Sequence, residues 1–214
     1  MGKKDQITKE RILNEAEALF AKNGYDAVSV RGITAAARCN LAAVNYHFGN
    51  KQKLYLEVFR ARWVPRARRV QAYFRESLAS LDTVSTSAVA QALAEAFLKG
   101  PLSDEERQRQ SQLMTRELIQ PTEAFELLAG DILRPFFKEL ADTLRPFMPE
   151  GLGNEGLMLN ILSMFSMVIY FNFARAAVSR ITGREYDESF KDRLVEQIVG
   201  FSLNGLGGGE SEGA

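Results

Sequence analysis

Cysteine and histidine are each present once, as Cys39 and His47. A lone cysteine excludes a disulfide within the chain and any multi-cysteine metal site. It also suits a reducing compartment. A lone histidine excludes a two-histidine metal site within one chain. The glycine-rich phosphate loop ending in Lys-Ser/Thr, the Gly-x-Ser-x-Gly elbow and the His-Glu-x-x-His pair are all missing, so the common catalytic signatures do not occur. No cofactor or metal is expected. The start, Met1-Gly2-Lys3-Lys4, leads into polar residues and not into a secretory signal. No segment alternates with period two, so no strands are expected. The most apolar run, Leu157 to Val178, is interrupted by Asn160, Ser163, Ser166, Asn172 and Arg175. A membrane span needs about 20 nearly unbroken apolar residues. The run is expected to be a helix buried on several sides, in a core and a subunit interface, and no membrane partner is expected.

Net charge is absent too: 27 Lys and Arg balance 27 Asp and Glu. Taken alone, that argues against a nucleic-acid binder. The distribution argues for one. Residues 1–69 carry 14 basic and 6 acidic side chains, a net +8, and residues 70–214 carry 13 and 21, a net −8. A basic block on an acidic remainder supports phosphate contact by the first block. The alternative is a basic surface that is merely solvated. Hydrophobic residues make up 46% of the chain and charged residues 25%, enough for a packed core with an ordinary surface.

The stretch Ser29 to Lys51 organises the reading. Ser29 can cap a first helix, and Val30, Ile33 and Ala37 share one face of it. Arg38-Cys39-Asn40 breaks the run, with Cys39 as a packing residue of the turn. Asn40 can then cap a second helix from Leu41. That helix carries the small residues Ala42 and Ala43, then Asn45, Tyr46 and His47. Small side chains let a backbone approach another surface. Amide, phenol and imidazole groups can bond phosphates or base edges. Two short helices around a tight turn suit insertion into a DNA major groove.

On these residues the segment resembles the DNA-binding part of the TetR family of bacterial transcriptional regulators. The Tyr46-His47-Phe48 run with Lys51 shortly after carries most of the likeness. Leu19-Phe20, Gly24-Tyr25 and Ser29-Val30 fit the same pattern, and the match covers roughly residues 7–64. Two departures stand out. Arg38 occupies a turn position where Gly is frequent, and Arg takes a positive φ less cheaply. Leu41 and Ala43 stand where polar residues are common. The DNA-contacting set that the resemblance implies is Ser29, Arg31, Asn40, Leu41, Ala42, Ala43, Asn45, Tyr46, His47 and Lys51. Within it Tyr46, His47 and Lys51 hold phosphates, Asn40, Ala42 and Asn45 approach base edges, and Ser29 and Arg31 add phosphate contacts. For His47 a phosphate contact is preferred to an internal hydrogen bond. Phe48 is assigned to packing.

The rest of the chain reads as helices. Residues 1–6 are expected to fray, with Thr8 capping a first scaffold helix that stops at Lys22-Asn23-Gly24. Asn50 caps a helix to about Trp63. Pro65 should break or kink the path, as a mechanical joint or a passive bend. Asp82-Thr83 opens the next helix, and Ser103 with Glu106 has capping-box spacing. Thr122 caps a long helix striped by Phe125, Leu128, Ile132, Phe136, Leu140 and Leu144, kinked near Gly130 to Pro135. The last helix runs from Glu188 to about Leu203. The expected fold class is all-α. A three-helix DNA-binding domain with a helix-turn-helix at 6–66 precedes a larger helical effector-binding and dimerisation domain at 67–204. A disordered tail follows at 205–214.

The family resemblance implies more than the residues do. It implies a homodimer through roughly 154–181 and 187–204, paired as a four-helix bundle, and a ligand cavity in the second domain. Phe97, Met114, Phe125, Phe137, Met164 and Phe173 could line an apolar cleft, with Arg116, Glu117, Asn172 and Arg175 as polar contacts. The alternative for each is a filled core or surface charge. Arg116-Glu117-Leu118 followed by Pro121-Thr122 further resembles a C-terminal domain type associated with regulators of antibiotic-sensitivity genes. The expected function is a cytoplasmic, ligand-responsive repressor. It binds a palindromic double-stranded DNA operator as a dimer and is released by a small-molecule effector. The rival classes are a helical dimeric adaptor and a cofactor-free enzyme. The basic block speaks against the first, and nothing in the motifs supports the second.

Overall fold

The computed structural model describes residues 3–205. The tail expected at 205–214 therefore lies, beyond Gly205, outside the described residues. Among those described there is no strand. The helices are α1 (Lys3–Asn23), α2 (Val30–Ala36), α3 (Leu41–Phe48), α4 (Lys51–Val58), α5 (Val64–Ala79), α6 (Thr86–Leu98), α7 (Asp104–Ile119), α8 (Glu123–Leu128), α9 (Arg134–Leu144), α10 (Asn154–Phe173), α11 (Arg175–Thr182) and α12 (Glu188–Gly205). Helix α1 starts at Lys3, five residues before the expected cap at Thr8, so residues 3–6 are helical and not frayed.

Most of the expected caps are made. Ser103 and Glu106 form a full capping box. Thr122 Oγ1 accepts the Ala124 N–H at 3.1 Å. Helix α6 is an exception: Ser85, not Asp82 or Thr83, caps it, its Oγ accepting the Ala88 N–H at 3.2 Å. Both expected proline breaks take one form. A widened π turn, Phe59–Trp63, precedes Pro65, and a second, Ala129–Leu133, precedes Pro135. A proline ring clashes with the carbonyl four residues back and offers it no N–H. A turn one residue wider relieves that conflict without ending the helix.

The chain divides into two compact units. The first takes the chain up to Ala67 together with Ser103–Ile132. Residues 103–132, assigned from sequence to the second domain, thus group with the N-terminal helices. Helix α1 packs against α2, α3, α4 and α7. Ile12, Leu13, Ala16, Phe20, Ile33, Val44, Leu54, Val58, Phe59 and Leu113 form the buried interior. The Tyr55 ring meets Phe20, Tyr25 and Phe59 edge-on, with centroids 5.0 to 5.1 Å away.

Two buried carboxylates fasten this unit. Glu17 of α1 is 1% exposed and pairs with Arg66 and, at 3.3 Å, with Arg109. Glu117 of α7, also 1% exposed, accepts the Tyr55 O–H at 2.6 Å. It also accepts the Thr122 hydroxyl and the N–H groups of Thr122 and Phe125 at 2.9 to 3.1 Å. Burial, then the Glu117 hydrogen bond, pushes the Tyr55 phenol far above its ordinary range.

The second unit takes Arg68–Leu102 and the chain from Leu133 onward. Helix α6 is its axis, packed against α10 and α12 and buried along Val89, Ala90, Leu93, Ala94, Ala96 and Leu98. Small alanines let neighbouring helices approach closely. Phe136, Leu140, Leu144, Leu157, Ile161, Met164, Val168, Leu194 and Ile198 complete the core. The long helix expected over roughly 154–181 instead breaks at Ala174, between α10 and α11. The Tyr186 O–H donates to the Phe171 carbonyl at 2.7 Å, the acceptor that a continuing helix would offer to Arg175. Burial pushes the Tyr186 phenol up to about 12. Among the described residues α10 is the one helix long and apolar enough to cross a membrane, and its inner face lies in this core.

Removing the Tyr55 hydroxyl leaves a buried carboxylate short of one donor. Tyr55→Phe is therefore expected to lower stability by about 1–3 kcal/mol in urea unfolding. An unchanged midpoint would show that the Tyr55–Glu117 bond contributes nothing.

Candidate nucleic-acid interface

Three side-chain caps build the segment from Ser29 to Lys53. Ser29 Oγ accepts the Gly32 N–H at 3.0 Å, Asn40 Oδ1 the Ala43 N–H at 2.9 Å, and Asn50 Oδ1 the Lys53 N–H at 2.8 Å. Each accepts from an orphan N–H of a helix start and fixes where the helix begins. Ile33, Val44 and Phe48 turn inward. Leu41, Ala42, Asn45 and Tyr46 lie on the opposite face of α3 and are exposed, Tyr46 by 75%. Ala43 is half-buried between the two faces.

The reversal between α2 and α3 turns on Arg38, at φ +49°. Gly takes this left-handed geometry freely, whereas an L side chain pays for it. The geometry still forms, and the Cys39 N–H donates to the Thr34 carbonyl at 3.0 Å to close the turn. The departure from the family pattern at this position changes the strain and leaves the turn intact. Burial raises the Cys39 thiol above its ordinary value, against an opposing pull from Arg11.

Other nominated residues find different surroundings. Ser29 and Arg31 are exposed, with the Ser29 hydroxyl spent on its cap. Lys51 stands in the first turn of α4 with its Nζ 4.2 Å from the centre of the Tyr25 ring. A ring face holds an ammonium loosely while leaving its other side to water. The His47 imidazole is turned inward. Its side chain is 4% exposed, and Nε2 lies 3.4 Å from Asp5 Oδ1 of α1. Lys53, exposed beside Lys51, was not nominated from sequence. Its place in the same capped turn as Lys51 was the available signal.

The residues nominated for an effector cavity fall in both units. Met114, Arg116, Glu117 and Phe125 belong to the first. There Glu117 is fully engaged, and Arg116 donates to the Ala21 and Lys22 carbonyls at 3.2 and 2.7 Å, capping the end of α1. Phe97, Phe137, Met164, Asn172, Phe173 and Arg175 belong to the second. Phe97 and Phe137 meet Phe165 edge-on at 5.2 and 5.0 Å, and Met164 is buried. Asn172 is 8% exposed and its Oδ1 has no hydrogen-bond partner. The Arg175 guanidinium lies 5.2 Å from the centre of the Tyr186 ring.

Residues 12–58 match the model of the bacterial regulatory proteins of the tetR family. Residues 89–206, more than half the chain, match the C-terminal domain of the HTH-type transcriptional dual regulator CecR. The chain belongs to the TetR family of transcriptional regulators. The CecR regulator of Shigella flexneri is 23% identical over 202 residues, spanning 92% of this chain and 89% of its own. The transcriptional regulator QacR of Staphylococcus aureus is 38% identical over 50 residues, 23% of this chain and 27% of its own. Among solved structures, a TetR-family regulator from Bordetella parapertussis superposes with a TM-score of 0.65 at 18% identity, covering 92% of this chain and 94% of that one. The fatty acid degradation regulator FadR from Bacillus halodurans gives 0.64 at 15% identity over 97% and 98%. Both share the fold. The tetR-family match runs from Ile12 of α1 to Val58 of α4 and so contains the α2–turn–α3 segment.

Arg38→Gly removes the strain of the left-handed turn, offset in part by the freedom Gly gains in the unfolded chain. A net gain of about 0.5–1 kcal/mol is expected in urea unfolding. A loss would show that the Arg38 side chain supports the turn.

Proposed function

We propose that this TetR-family regulator is a cytoplasmic repressor that binds a palindromic operator as a homodimer and leaves it when a small molecule binds. The observation that carries DNA recognition is the capped α3, with Leu41, Ala42, Asn45 and Tyr46 exposed on one face. Ala42 lets the helix approach the bases, Asn45 can bond an adenine edge, and Tyr46 reaches phosphate or base. Arg31 on α2, Arg38 in the turn and Lys51 and Lys53 at the start of α4 would add positive charge from the elements either side of α3.

Dimerisation is supported by a second surface. Leu159, Leu162 and Tyr170 are exposed along α10, with Ser163 and Ser166 between them, and Phe201 is 62% exposed on α12. This apolar stripe, set with small hydroxyl residues, suits close pairing with its own twofold mate. Two copies would present their α3 helices about one DNA turn apart or a multiple of it. For the effector, the Phe97–Phe165–Phe137 cluster and the unpartnered Asn172 Oδ1 support an apolar molecule carrying a hydrogen-bond donor. Phe165 and Asn172 lie two turns apart on one side of α10. A ligand preferring one dimer geometry would shift the population, and a coupling of about 1–3 kcal/mol changes operator affinity roughly 5- to 150-fold.

Titration of the purified protein onto duplex from upstream of its own gene tests the reading. Tight, salt-sensitive retention is expected, and indifference to every duplex at low ionic strength would refute it. Lys51→Ala should weaken binding to all sequences and reduce the salt slope by about 1. Phe201→Glu is expected to convert a sedimenting dimer into monomers. A variant that sediments like the parent would remove this face from the dimer.

A further inference from the structure

His47 belongs to the reading helix, yet its imidazole faces the protein. With 4% of the side chain exposed and Nε2 3.4 Å from Asp5 Oδ1, the ring presents little of itself to an outside phosphate. The ring is set edge-on to Tyr46 at 5.0 Å and tilted against Phe48 at 6.0 Å. Asp5 lies in the first turn of α1 and His47 in the last turn of α3. A helix start favours an anion, so the dipole of α1 supports the Asp5 carboxylate where it meets the ring. The other charged groups recorded around this corner are Lys9 of α1 and Glu57 of α4. Lys9 Nζ is 5.8 Å from the centre of the Phe48 ring and 3.8 Å from Glu57 Oε1. That pair answers itself and leaves Asp5 as the recorded carboxylate facing His47.

We infer that His47 serves DNA binding as a positioning residue. By engaging Asp5 it clamps the end of α3 to the start of α1, and it makes no phosphate contact. The inference rests on α3 being the DNA-reading helix. The clamp acts at the end of α3 opposite the Asn40 cap, so the two together fix the tilt of the exposed Asn45 and Tyr46. Because the chain has one histidine, the clamp can be followed without ambiguity.

The first arm needs no DNA. The imidazole C–H signals of the free protein are recorded by NMR for the parent and for Asp5→Asn. The signals are expected to move, and unmoved signals would overturn the contact. The second arm measures affinity and salt slope for upstream duplex with Asp5→Asn, His47→Asn and the double variant. His47→Gln guards against misfolding of a single substitution. Each single change is expected to weaken binding about 2- to 5-fold at an unchanged salt slope, as loss of one polar contact behind the helix would. The double variant should be no weaker than the worse single one. A phosphate-contacting His47 gives the opposite pattern: the slope falls by about 1 on His47→Asn, and Asp5→Asn tightens binding by removing a negative charge. That pattern would overturn the inference. Signals that move in a parent protein that binds no duplex would sink the DNA-reading role while leaving the contact itself standing.

Discussion

The reversal of direction between α2 and α3 is the constraint on which the reading head depends. Only the residues from Ala37 to Asn40 separate the two helices, and Arg38 holds the left-handed geometry that makes so short a turn possible. On one side Ile33 is pinned in the interior, and on the other Val44 and Phe48 are. If the turn opened, the two buried faces could not both stay in contact with α1. The outward set of α3 is thus a consequence of packing behind it. Leu41, Ala42, Asn45 and Tyr46 are exposed because Val44 and Phe48 are not.

Behind the head, charge does what apolar packing cannot. Glu17 and Glu117 are each 1% exposed, and each is answered by several donors. A buried carboxylate with its partners in place adds little net stability, but losing one partner is costly. Such sites specify which helices meet. Glu17 selects α1, the start of α5 and α7. Glu117 selects α4 and the α7–α8 turn. They explain why residues 103–132 group with the N-terminal helices.

Local signals in the sequence were legible where the physics is local. Ser29, Asn40, Asn50, Ser103 with Glu106, and Thr122 each cap within three residues, and each is found where expected. The buried stripe of α9 was equally plain. What could not be seen depends on distant partners. The break at Ala174 comes with a bond from the Tyr186 hydroxyl to the Phe171 carbonyl, fifteen residues away in sequence. The inward turn of His47 needs Asp5, and the grouping of α7 needs Tyr55 and Glu17. The early start of α1 leaves no trace in apolar periodicity, because its first residues are polar.

The two π turns have a bearing on how related chains should be compared. One extra residue in a turn rotates everything after it by roughly 100° about the axis. A helical wheel drawn without interruption through Phe59–Trp63 would therefore carry that phase error into every residue from Val64 onward. A homologue that lost Pro65 or Pro135 together with its widened turn would need a one-residue deletion to keep the same side chains inside. Gaps placed at Phe59–Trp63 or Ala129–Leu133 in such comparisons would mark conserved geometry and not divergence.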